Sequence, residues 1–333
     1  MKGSFAPTRW LAACALLLTT LIAHASVGYR EMVIPGTTMG VWYPSDAPEQ
    51  ARKVGPFEID YAFDAAPRQG SWPLIVFSHG TGGHYRNHYL TLQALAKAGF
   101  VVAAPQHTSD KAVQIRQFKA AFQSRTQDIA HAVAAIQSDP ALGPVTDTSV
   151  VHGLGYAFGA ASVLAAAGAP VDEAMIKSHC QQHASEDLDL CSDTPMLGLQ
   201  RRYQQLRAMF SGESVADPSL PSPINGAIAL VAPVGQGLQL SASSLHATRI
   251  LDIAIDGDVI VPPHFHAMHI AQALPEITRL VHEHAHHYAF IAPIPKWALG
   301  KNDYFIINDP AGFDRLAFLR QVNAELVQFF SHP

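Results

Sequence analysis

Charge is scarce in this chain. Asp, Glu, Lys and Arg make up 15% of its 333 residues, against roughly a quarter in a typical soluble protein. Lys and Arg number 22 against 27 acidic residues, a net charge of −5. No basic face is therefore available to track a phosphate backbone, and a nucleic-acid partner is excluded. There are no charge runs, internal repeats or low-complexity tracts, which removes the disordered, collagen-like and coiled-coil classes. Cysteine is nearly absent, with three residues at 14, 180 and 191.

What is present is apolar: 48% of the residues are hydrophobic, and the length suffices for a large core in one or two domains. The first 25 residues stand apart. Lys2 and Arg9 form a basic start, an apolar run covers 10–22, and Ala23-His24-Ala25 has the small-x-small form of a cleavage site. That is the pattern of a secretory signal peptide, with too short an apolar run to span a bilayer comfortably. The expected mature protein is secreted or periplasmic, with no stable membrane insertion after cleavage. It keeps only Cys180 and Cys191, eleven positions apart, which in an oxidising compartment are expected to pair. Two free buried thiols are the alternative.

Short strands are expected at 29–34 and 39–43. From Trp72 the chain alternates between largely apolar runs without polar alternation, suited to strands buried on both faces, and helical stretches. Strands are expected at 73–78, 100–104, 148–152, 226–232 and 249–255 and, on a weaker pattern, at 278–281, and helices at 89–98, 125–137, after the 153–160 segment as far as 167, and at 313–330. Strand, helix, strand at this spacing describes an α/β class with a doubly wound, mainly parallel sheet. Residues 171–222 break the pattern. They carry the Cys pair, two amphipathic helical stretches and a Pro/Ser-rich exit, and are read as a helical lid inserted into one domain spanning 26–333.

The chemistry centres on Gly155-Tyr156-Ala157-Phe158-Gly159. A strand, a tight turn flanked by glycines and a helix make the geometry of a nucleophile elbow, whose central residue in an active hydrolase is serine. Here it is alanine. With His79-Gly80-Thr81-Gly82-Gly83 before it, and Asp258 to Pro263 and then His286-His287-Tyr288-Ala289-Phe290 after it, the chain resembles the α/β-hydrolase superfamily, in its dienelactone-hydrolase-like and platelet-activating-factor-acetylhydrolase-like esterase branch. The order nucleophile, acid, histidine falls on 157, 258 and 287.

That resemblance implies a Ser-Asp-His acyl-enzyme mechanism on a small carboxylic ester, with no cofactor. His287 would act as base, Asp258 would fix its tautomer, and the Thr81 and Phe158 N–H groups would hold the oxyanion. The spacing to Pro262 favours Asp258 over Asp256, and the spacing to Phe290 favours His287 over His286. Ser162 sits too deep in its helix to replace the nucleophile, and Ser78 reads as a structural hydroxyl. His79 is expected to pack behind its loop without a catalytic role. As written, the site lacks its hydroxyl, and a non-hydrolytic protein binding an ester-like ligand is the alternative. The 18 histidines are dense at 264–269 and 282–287, which raises metal binding as a rival, but His-x-His pairs also recur in loops for no metal reason, and no metal site is assigned.

Overall fold

The computed structural model describes residues 26–108, 118–191, 222–298 and 308–332. The expected signal segment and residues 192–221 of the insert lie outside them. Ten strands form one sheet: β1 (Ser26–Ile34), β2 (Thr37–Ser45), β3 (Gln50–Val54), β4 (Phe57–Phe63), β5 (Trp72–Ser78), β6 (Val101–Pro105), β7 (Thr146–Tyr156), β8 (Ile228–Val231), β9 (Ile250–Ile255) and β10 (Thr278–His282). Their spatial order is β10-β9-β8-β7-β5-β6-β2-β1-β4-β3. The six strands from β10 to β6 run parallel, and β2 joins them antiparallel through β6.

Helices cover both faces, as a sheet apolar on both sides requires. One face packs α1 (Tyr89–Lys97) and the C-terminal helix, with Leu92, Leu95, Leu319, Val322 and Leu326 buried against Ile75, Phe77 and Ile253. The other packs α2 (Phe118–Ser138) and α3 (Phe158–Ala166), with Phe122, Ile129, Val163 and Leu164 against Leu74, Val76 and Leu230. The chain continues with α4 (Glu173–His183), a short α5 (Leu188–Cys191), α6 (Ala267–Ala273) and the C-terminal α7 (Arg315–Ser331).

The expected strands and helices are present, some with wider bounds: β1 begins at Ser26 rather than 29, and β2 covers Thr37–Ser45 rather than 39–43. β7 starts two residues before the expected strand and runs on to Tyr156, because its last residues also pair with β5 and β8. α2 begins at Phe118 rather than 125, since Phe118 and Phe122 pack on Phe158. The β3–β4 hairpin and α6 have no counterpart in the sequence reading. Among the described residues of the insert, α4 and α5 are joined by a Cys180–Cys191 disulfide with Cα atoms 5.1 Å apart.

Candidate active site

The turn between β7 and α3 is as sharp as the glycines imply. Ala157 has φ 53° and ψ −119°, a left-handed conformation that costs a non-glycine residue on the order of 1–3 kcal/mol. A Cβ on Gly155 would lie 2.4 Å from the Ala160 Cα, and one on Gly159 would lie 1.9 Å from the Ser78 carbonyl oxygen. Neither position tolerates a side chain. Around the turn, the Ala157 N–H donates to Val231 O at 3.0 Å and its carbonyl accepts from Val234 N at 3.1 Å. The elbow is thus bolted to β8.

The acid and the histidine meet. Asp258, in the turn after β9, uses one oxygen to accept from the Ile260 and Val261 N–H groups at 2.9 and 2.8 Å. The other accepts from His287 Nδ1 at 2.6 Å. Both residues are buried. Because the carboxylate accepts, the imidazole proton sits on Nδ1 and Nε2 is the basic nitrogen. Asp256 is exposed and only its backbone is engaged, donating to His282 O. His286 turns away to Asp309, 2.8 Å from Nε2. The structure therefore brings Asp258 and His287 together and leaves their two rivals out.

Two residues that the sequence reading passed over hold this arrangement. Tyr156, directly before Ala157, donates its hydroxyl to His287 O at 2.9 Å, and their rings lie 5.2 Å apart. Burial pushes that phenol well above its ordinary value, so it stays a donor. Arg315, at the start of α7, donates to the carbonyls of Ile291 (3.0 Å) and Tyr288 and pairs with Asp309 at 2.7 Å, bracing the turn that carries His287. Neither has a local sequence signal, because the carbonyls they brace, His287 O for Tyr156 and Tyr288 O and Ile291 O for Arg315, lie 24 or more positions away.

Gly80 lies against the elbow, where a Cβ would sit 3.3 Å from that of Ala157, so Thr81 follows directly beside it. Phe158 opens α3, where backbone N–H groups have no intrahelical acceptor. The histidine-rich runs do not converge on one point. His266 approaches Asp187, His282 meets Glu325, His286 meets Asp309 and His287 meets Asp258. Among the described residues, His179, Asp187 and Cys191 come within 4.8 Å of one another. There the Cys191 sulfur is bound to Cys180, and Asp187 accepts from His179 Nε2 at 2.8 Å. His266 Nε2 lies 3.0 Å from the same carboxylate oxygen but out of line for a hydrogen bond.

A mixed sheet with a parallel centre and helices on both faces is consistent with an α/β-hydrolase fold. Within that class, the model of the family described as platelet-activating factor acetylhydrolase, isoform II, matches residues 54–139. This segment contains β5, the 79–83 loop, β6 and α2, and ends before the elbow. No curated protein matches the chain. The match and the sheet together support a hydrolase of the α/β-hydrolase type.

Proposed function

We propose that this chain is the framework of an exported carboxylic-ester hydrolase whose nucleophile position holds alanine. The reading rests on the Asp258–His287 pair, held by Tyr156 against a strained elbow. With a hydroxyl at 157, the His287 Nε2 would take its proton as it attacks the ester carbonyl and would later return it to the leaving alcohol. Asp258 would stabilise the imidazolium, and the N–H groups of Thr81 and Phe158 would hold the negative oxygen of the tetrahedral intermediate. The acyl-enzyme formed would then be hydrolysed by a water activated at the same imidazole. The matched family is named for an acetylhydrolase, which agrees with a short acyl group on a small ester substrate.

With alanine at 157 no acyl-enzyme forms, and the chain is expected to be inactive or nearly so. Loss of the serine of such a triad lowers turnover by about 10⁶-fold. A leader at 1–25 and a disulfide at 180–191 support export to a secreted or periplasmic location, and residues 171–222 are read as a lid. The second reading is a non-hydrolytic protein that binds an ester-like ligand in the same pocket; Ala157 itself favours it.

Hydrolysis of p-nitrophenyl acetate by the chain and by Ala157→Ser separates the two. Turnover and fluorophosphonate labelling by the serine form alone are expected. Silence of both across acyl lengths would leave the binding reading.

A further inference from the structure

Behind the 79–83 loop lies a second Ser, His and Asp arrangement. Ser78, the last residue of β5, has its Oγ 2.9 Å from His107 Nε2, and His107 Nδ1 lies 2.8 Å from Asp128 Oδ2 on α2. The connectivity is that of a catalytic triad, but Ser78 is 0% and His107 1% exposed. No substrate reaches this hydroxyl, so its role must be exerted through its neighbours.

The proton positions can be assigned one by one. The Asp128 carboxylate accepts, so the His107 proton is on Nδ1 and its Nε2 accepts from the Ser78 hydroxyl. The backbone N–H of His107 donates to His79 Nε2 at 3.1 Å. His79 therefore carries its own proton on Nδ1, which lies 2.8 Å from Gly80 O. That carbonyl also accepts from the Gly83 N–H at 3.1 Å. Burial, with Arg125 adding to it, holds both imidazoles far below their ordinary values, so they remain neutral. Arg125 donates to His79 O at 2.7 Å, and its guanidinium lies 4.8 Å over the Phe158 ring, tying the start of the loop to the start of α3.

We propose that Ser78, His107 and Asp128 act through His79 to fix the Gly80–Thr81 peptide so that the Thr81 N–H faces the elbow. A trans peptide carries its C=O and N–H on opposite sides. Two donors on the Gly80 carbonyl therefore aim the Thr81 N–H the other way, and a Cβ on Gly80 would stand 3.1 Å from the Tyr156 ring and 3.3 Å from Ala157. All four are positioning residues, and none touches substrate. Their effect on turnover rests on the hydrolase reading; the fixing of the peptide does not.

The test begins with the chain as it stands. Long-range ¹H–¹⁵N spectra of the imidazoles should show His79 and His107 in the Nδ1–H form, without titration between about pH 5.5 and 8. Amide exchange across 79–84 should be about tenfold faster in His79→Leu. It should be near the parent rate in His79→Asn, whose Nδ2–H can reach Gly80 O as the imidazole Nδ1–H does. Should the leucine variant not fold, Ser78→Ala should speed the same exchange several-fold. An Nε2–H tautomer, or exchange unmoved by either substitution, overturns the proposal whatever the activity. In the Ala157→Ser background, His79→Leu should lower kcat about 10- to 100-fold with KM within about twofold, and His79→Asn should restore it. A parallel rise in KM, or no rescue by asparagine, overturns the link to the oxyanion site. An inactive Ala157→Ser protein with the expected tautomers and exchange overturns the hydrolase reading alone.

Discussion

At the scale of single residues, Tyr156 belongs to two structures at once. Its backbone ends β7 and its hydroxyl holds the turn that carries His287. Tyr156→Phe keeps the ring and removes the bond, leaving a buried carbonyl unpaired at a cost of about 2 kcal/mol. Urea denaturation should register that loss. In the Ala157→Ser background, turnover should fall about tenfold as the imidazole loses its anchor. The pair it supports was legible in the chain because Asp258 and His287 occur in short segments with recognisable spacing. Tyr156 and Arg315 were not, because a side chain that bonds to a distant carbonyl leaves no local pattern. The same holds for Arg125, whose buried guanidinium looks in sequence like any polar residue of an amphipathic helix.

Legibility of the elements follows burial. The strands β5, β6, β8 and β9 are covered on both faces and read as largely apolar runs, broken in β9 only by Asp252. β3 is the last strand of the sheet, with Gln50, Ala51, Arg52 and Lys53 exposed. A strand at an edge is blunted by such charge, which also erases the apolar signature by which a strand is found. α6 was hidden for a different reason: its segment begins amid histidines, which suggested ligands rather than a helix. Within the insert, α5 has four residues, too few to persist alone. The disulfide to α4 and the contact of Asp187 with His179 hold it in place. Replacing both cysteines by serine should therefore lower stability by about 2–3 kcal/mol, seen as a shifted urea midpoint. Melting of the central sheet with no such shift would show that this corner folds on its own.

For the whole molecule, stability should depend on pH through a group outside the site. Asp252, in the middle of β9, is fully buried, and neither of its oxygens has a hydrogen-bond partner. Burial raises its carboxyl to about 7, although Arg279 3.4 Å away pulls the other way. The unfolded chain loses this proton near pH 4, so from about pH 4 to 7 the folded form binds more protons and this group's contribution falls as pH rises. The loss by neutral pH is on the order of 4 kcal/mol. Asp252→Asn should stabilise the protein at pH 8 and change little at pH 4. The comparison must be with the parent at each pH, because His88, which burial lowers to about 3, destabilises the fold in the opposite direction as acid is added. No helix among the described residues is long and apolar enough to cross a membrane.

The bond from Tyr156 to His287 spans 131 positions, and the contacts of α1 with the C-terminal third span more: His88 to Phe290 is 202 apart and Asn323 to Leu90 is 233. Such distant closures are slow, since the chain must be brought together before they reward it. A growing chain that had reached β8 would own a finished elbow and most of a sheet, but no base beside it. The elbow and its base come together only once the C-terminal third has packed.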